Sequence, residues 1–232
     1  MKRIFLMFAA LGIVSLTMIG TERYELRVGD FSALKVSSGV NVDYKCSADS
    51  AGMAVFYADP AVSSVIGFTP SGDELRISFT TDEHPSASLP RVTVYSTFLT
   101  EVSNTSDSTV RVLSDIKCPT FKASQQGNGM IVVRNLNVGK VDAKLMTGKG
   151  QVILYGHCDK ANFTMVGTGI IQADGLEAEK VNIKATGTGQ IGCWATDELV
   201  VKGVGSTTIY YRGTPKVTKK FALGVKLSPL VQ

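Results

Sequence analysis

Gly127-Asn128-Gly129-Met130-Ile131, Gly148-Lys149-Gly150-Gln151-Val152, Gly167-Thr168-Gly169-Ile170-Ile171 and Gly187-Thr188-Gly189-Gln190-Ile191 are four copies of one corner, each running into a β-rich segment. Two degenerate copies flank them, Ser106-Asp107-Ser108-Thr109-Val110 before and Gly205-Ser206-Thr207-Thr208-Ile209 after. Successive starts are 21, 21, 19, 20 and 18 residues apart, and Gly224-Val225-Lys226-Leu227, another 19 on, reads as a frayed last copy. An alternating apolar segment leads into each corner: Phe121 and Ala123, Ala161, Phe163 and Met165, Val181, Ile183 and Ala185, Leu199 and Val201. Alternation with period two means strands with one buried face. Val141, Ala143 and Leu145 keep the pattern displaced by one residue, which predicts a bulge at Met146.

One corner chemistry per repeat separates a coil stack from a hairpin sandwich. A sandwich would show turns of differing chemistry every 8–12 residues or so. In a solenoid each repeat is one full turn and like positions stack in columns. Proline agrees, since none of the seven falls between Pro119 and Pro215, where a missing N–H would interrupt ladders on both sides. The expected fold is an all-β, right-handed parallel β-helix with coils of about 20 residues; the hand follows the crossover rule for parallel strands. Six coils about 4.8 Å apart would make a rod of roughly 29 Å. A phosphate-loop reading of the Gly-x-Gly series fails, because phosphate loops need a following helix and β-rich residues follow here. Glycine at such corners permits positive φ and close coil-to-coil approach.

Regular coils are expected over residues 101–227. Residues 24–100 form an irregular β-rich part that starts the stack and covers its open end. Its expected strands are Tyr24–Val28, Ala33–Tyr44, Ala54–Tyr57, Leu75–Phe79 and Arg91–Tyr95, and Ala33–Val42 already resembles a strand–glycine corner–strand coil. Residues 21–232 would be a single β-solenoid domain.

Lys2 and Arg3 precede an uncharged apolar run, Ile4 to Ile19, closed by Gly20 and Thr21. That pattern describes a secretory signal peptide over residues 1–20. A retained anchor is the rival, but the run falls short of the 20 or so apolar residues that span a bilayer. Cleavage would take the net charge from +4 to +2 and leave no membrane span. Such a charge, with 19% charged and 44% hydrophobic residues, argues against a nucleic-acid binder and against wholesale disorder.

Chemistry-bearing residues are sparse. Cys46, Cys118, Cys158 and Cys193 match no zinc spacing; they read as buried free thiols, with disulfides open in an oxidising compartment. His84 lies in a polar turn. His157 and Cys158 are neighbours, but adjacent strand residues face opposite ways, which makes a poor nucleophile–base pair. Asp159, Glu177, Glu179, Asp197 and Glu198 recur ten to twelve residues after a Gly-x-Gly start. Stacking would set them in one corner column beside Lys160 and Lys180. Screened ion pairs at a solvated corner suit that mix better than two catalytic carboxylates do. Lys144, Lys184 and Lys202 form a possible column for anionic glycan or lipid, or a solubility device. Trp194, with Tyr155, Tyr210 and Tyr211, could stack sugars or simply pack a corner.

The whole pattern resembles the bacterial family named "putative autotransporter adhesin head GIN domain". The resemblance runs from Phe31-x-x-Leu34-x-Val36-Ser37-Ser38-Gly39-Val40-x-Val42, through Asp73-Glu74-Leu75-x-Ile77 and Arg91-Val92-Thr93-Val94-Tyr95, to Ile209-Tyr210-Tyr211-Arg212-Gly213-Thr214-Pro215. The Tyr-x-Gly-x-Pro ending is its most specific element. Ser106, Ser108 and Thr207 depart from it, which predicts looser corners there. The resemblance implies an exported β-solenoid of the cell envelope, in the periplasm, at the surface or outside the cell. The expected role is a non-catalytic binding, adhesion or scaffold module. Expected partners are a glycan or another cell-surface protein, with no enzyme activity, cofactor, metal, catalytic or cofactor-binding residue and no nucleic acid. The alternative is a carbohydrate-active β-solenoid, either a polysaccharide lyase or a hydrolase.

Overall fold

The structure is a computed structural model that describes residues 21–80 and 90–230. The expected signal peptide at 1–20 and the turn holding His84 lie outside the described residues. Inside them, 17 strands form one continuous hydrogen-bonded system, and helix is limited to α1 (Pro60–Ser63). The fold is a β-solenoid.

Four long strands make its body: β11 (Met130–Met146), β12 (Gln151–Gly167), β13 (Ile170–Gly187) and β14 (Gln190–Gly205), when numbered with the ten that precede them. Each pairs in parallel with the next. Register shifts at Val133/Leu136, Ile153/Tyr155 and Ala173/Glu177 divide each long strand, so every coil contributes to more than one ladder. The first ladder holds the segments leading into the glycine corners and the second holds those leaving them. A short third ladder runs between the two, through Leu136, Gly156 and Leu176.

Side-chain size is matched from coil to coil. Ala143 pairs with Phe163, and Phe163 with Ile183, all almost fully buried. The ring thus fills space that alanine leaves, and burial of a side chain of this size contributes about 1.5–3 kcal/mol. Ile131, Val152, Ile171, Ile191 and Ile209 form the facing column of the second ladder, each at 0% exposure.

The stack begins earlier than residue 101. β2 (Ala33–Val36) and β3 (Asn41–Cys46) form a coil, as do β6 (Glu74–Phe79) and β7 (Arg91–Ser96), and β8 (Glu101–Asn104) and β9 (Thr109–Val112). Their spatial order is not their chain order: β2 pairs in parallel with both β6 and β8, and β3 with both β7 and β9. The first coil in sequence therefore sits second in space. Antiparallel strands continue the end of the stack, with β5 (Ile66–Ser71) on β6, β4 (Met53–Ala58) on β7, and β1 (Glu22–Arg27) on β4. β5 was not expected; its Pro70 is tolerated because this is an edge strand. β10 (Thr120–Gln126) joins β8 to β11. At the far end, β15 (Thr208–Arg212) and β16 (Lys216–Leu223) stack on β14, and β17 (Lys226–Pro229) on β15.

Two local expectations are corrected. Register between β11 and β12 is unbroken from Lys140 to Met146, so there is no bulge at Met146. The extra residue enters the corner instead, where Thr147 takes a φ of 57°. The degenerate corners are not loose either. Asn104 Nδ2 donates to Ser108 O at 2.8 Å, while Ser106 donates its N–H and its hydroxyl to Asn104 Oδ1. Thr207, fully buried, donates its hydroxyl to Gly187 O at 3.1 Å. Side-chain hydrogen bonds do there what glycine does elsewhere.

Candidate functional site: the outer faces and the third-ladder groove

Register determines which outward side chains meet. On the first ladder Lys144, Thr164, Lys184 and Lys202 form one row, so the expected lysine column exists with Thr164 inserted. A neighbouring row is Lys122, Asp142, Asn162 and Asn182. Asn162 donates to Asp142 Oδ1 at 2.7 Å and Asn182 donates to Asn162 Oδ1 at 3.2 Å, a ladder of side-chain amides. Burial alone would raise the Asp142 carboxyl, but the bonds from Lys140 and Asn162 hold it below its usual range.

The expected single column of acids is divided. Cys158 pairs with Ala178 and Lys160 with Lys180, which sets Asp159 beside Glu179 at a bend. Glu177 pairs with His157 on one side and Trp194 on the other, on the third ladder. Glu198 pairs with Lys180 on the first ladder, and Asp197 lies just before it, past the bend at Ala195. The strand turns within this segment, so residues close in sequence belong to different faces.

His157 and Cys158 point opposite ways, His157 exposed and Cys158 fully buried. Burial pushes the Cys158 thiol up to about 12, and the Cys193 thiol likewise. All four cysteines are free thiols, but Cys46 is exposed and Cys118 half-buried, against the expectation of burial for all four. The aromatic cluster is also dispersed. Tyr211 packs against the core, Tyr210 faces outward beside Gly192, and the Tyr155 ring lies against Gly175. Trp194 packs at its corner under Arg212, whose guanidinium carbon is 4.6 Å from the ring centroid.

Sequence reasoning missed a broad, open concavity. A cavity of about 630 Å³ opens on the third ladder, lined by Leu136 and Gly156 and by the polar side chains of Asp115, Lys117, Asn135, Asn137 and His157. Asn135 donates to Asp115 Oδ1 at 2.8 Å. A second cavity, about 350 Å³, adjoins it at Asp115 and Lys117 and extends to Phe98, which is 55% exposed. Leu136, Asn137, Gly156 and His157 sit on the short third ladder, set off from the ladder before it by register shifts, so the corner repeat does not mark them. Among the described residues, no group of three or more His, Cys, Asp or Glu could hold a metal ion, and no helix is long and apolar enough to cross a membrane.

With this geometry in hand, the chain can be set beside known proteins. The family described as "Putative auto-transporter adhesin, head GIN domain" matches residues 30–215. The chain belongs to that family. Among curated proteins, none matches the chain. Solved structures share the family's fold with it. A protein of Bacteroides fragilis titled a putative adhesin superposes with a TM-score of 0.80 at 21% identity, over 90% of this chain and 95% of that one. A Parabacteroides merdae protein with the same title gives 0.69 at 21% identity, over 91% and 97%. A Parabacteroides distasonis protein titled a putative lipid binding protein gives 0.73 at 18% identity, again over 91% and 97%.

Proposed function

We propose that this family member is exported and acts in the cell envelope as a non-catalytic binding module, in adhesion or scaffolding, through the outer faces of its rod. The observation that carries this reading is the in-register outer rows, of which Asp142–Asn162–Asn182 is the most ordered. A ligand laid along the stack meets the same kind of group once per coil, and many weak polar contacts of this kind give affinity without a deep pocket. The adhesin description of the family agrees with it. Fractionation of cells carrying the tagged full chain tests it, together with incubation of the purified protein with isolated envelopes. The expected result is a protein outside the inner membrane that begins after residue 20 and binds envelopes without releasing soluble sugar. A cytoplasmic protein, or release of sugar fragments, would overturn the reading.

A second reading, contact with a lipid surface, is favoured by one row of the first ladder. Met146, Val166, Val204 and Leu223, each between 36% and 60% exposed, share it with Thr186, beside the row of Lys144, Thr164, Lys184 and Lys202. Apolar side chains flanked by lysines suit an anionic bilayer surface. One solved structure of this fold is titled a lipid binding protein.

A further inference from the structure

The two joined cavities on the third ladder gather polar side chains from neighbouring coils. Most polar groups of the larger one are short and planar, Asp115, Asn135, Asn137 and His157, with Lys117 beside them. An amide or imidazole offers a donor and an acceptor side by side, which matches neighbouring hydroxyls that both give and take hydrogen bonds. Asn135 is already oriented by its bond to Asp115, so one carboxylate oxygen and the amide oxygen remain for a ligand. An exposed aromatic ring, Phe98 at 55% exposure, lies at one end. An exposed aromatic ring beside a polar patch suits the apolar face of a sugar ring.

Charge and spacing narrow the ligand. Asp115 and Lys117 share the junction of the two cavities, so neither sign dominates and an uncharged ligand fits better than a polyanion. Asp115, then Asn135 and Asn137, then His157 come from three successive coils, paired Ile116 to Leu136, Leu136 to Gly156 and Asn137 to His157. A coil advances by about 4.8 Å, close to the length of one pyranose residue in an extended chain.

We propose that the groove from Phe98 to His157 binds an uncharged oligosaccharide laid along the stack axis, about one sugar per coil, an assignment that rests on the non-catalytic binding role proposed above.

Titration calorimetry on the purified full chain tests it with chito- and cello-oligosaccharides of two and six residues. The hexamer of at least one series should bind about tenfold more tightly than its dimer, because it spans more coils. Asn137→Ala with His157→Ala should weaken that binding about tenfold, as should Phe98→Ala alone. All three side chains are exposed, and an unchanged circular dichroism melt shows that the variants remain folded. Failure of every hexamer to bind at millimolar concentration would overturn the groove, as would hexamer and dimer binding equally or folded variants binding like the parent. Binding only to phosphatidylglycerol vesicles would also overturn it, and would leave the non-catalytic role standing with a lipid ligand. Groove-dependent binding accompanied by shortening of the hexamer would instead overturn the non-catalytic role and keep the groove.

Discussion

Gly187 and Gly167 occupy equivalent corners one coil apart, yet they would tolerate a side chain differently. Both have positive φ, 134° and 131°. A Cβ on Gly187 would stand 2.1 Å from Gly167 O, whereas one on Gly167 would stand 3.4 Å from Gly148 O. The extra residue at Thr147 reshapes the corner beneath Gly167 and opens that space. Backbone strain at such a φ costs about 1–3 kcal/mol on its own, and only Gly187 adds a clash with main chain. Gly187→Ala is therefore expected to cost about 3 kcal/mol or more and Gly167→Ala about 1–2 kcal/mol in urea denaturation. Equal losses would contradict this. The repeat made both corners recognisable as glycine corners; the 21-residue spacing betrayed an extra residue. Its position could not be read, because a bulge and a wider corner cost the same one residue.

Pairing among the first strands depends on one carboxylate. Asp43 of β3 accepts hydrogen bonds from Arg111 Nε of β9 at 2.7 Å and from Arg91 of β7 at 3.0 Å, so it ties together three neighbouring coils. Burial alone would raise its carboxyl, but the bonds and charges of Arg111 and Arg91 hold it below the usual carboxylate range. A lowered folded value means stability that is fully present above the unfolded carboxylate range, near pH 4, and lost as pH falls through the lower folded value. Asp43→Asn should cost about 1–2 kcal/mol at pH 7, since both arginines are partly exposed and screened. The gap between parent and variant should close as acid denaturation is followed below pH 4. A gap that persists at the lowest pH would show that Asp43 acts through packing rather than charge. The sequence announced β3 and β7 within its expected strands and the start of β9 as the end of a degenerate corner, but not that β3 lies between the other two, because pairing order leaves no mark on a strand's own pattern. The groove was hidden for a similar reason: Asn135, Asn137 and His157 meet only once register is known across bends that differ in length.

The rod as a whole is a sum of neighbour interactions. In a coil stack each repeat contacts only the repeats beside it, so stability is an intrinsic term per coil plus an interface term per neighbour. The central coils have long unbroken registers on both sides, such as Lys140–Met146 against Lys160–Val166, and interior side chains near zero exposure. The ends differ. β1 shows the burial of an exposed strand, with five of its six residues exposed, and β16 likewise leaves most of its side chains in solvent. Phe221 and Leu223 on β16 are 58% and 60% exposed, so that strand forfeits most of the apolar burial that fixes the coils beneath it. Opening should therefore start at the ends and reach the middle last, since removing an outer coil breaks one interface and removing a central one breaks two. Hydrogen–deuterium exchange on the native chain should show the slowest amides in the first-ladder halves of β11, β12 and β13, with the fastest strand amides in β1, β16 and β17. Uniform protection along the chain would mean that the coils open together, and the nearest-neighbour account of this rod would fail.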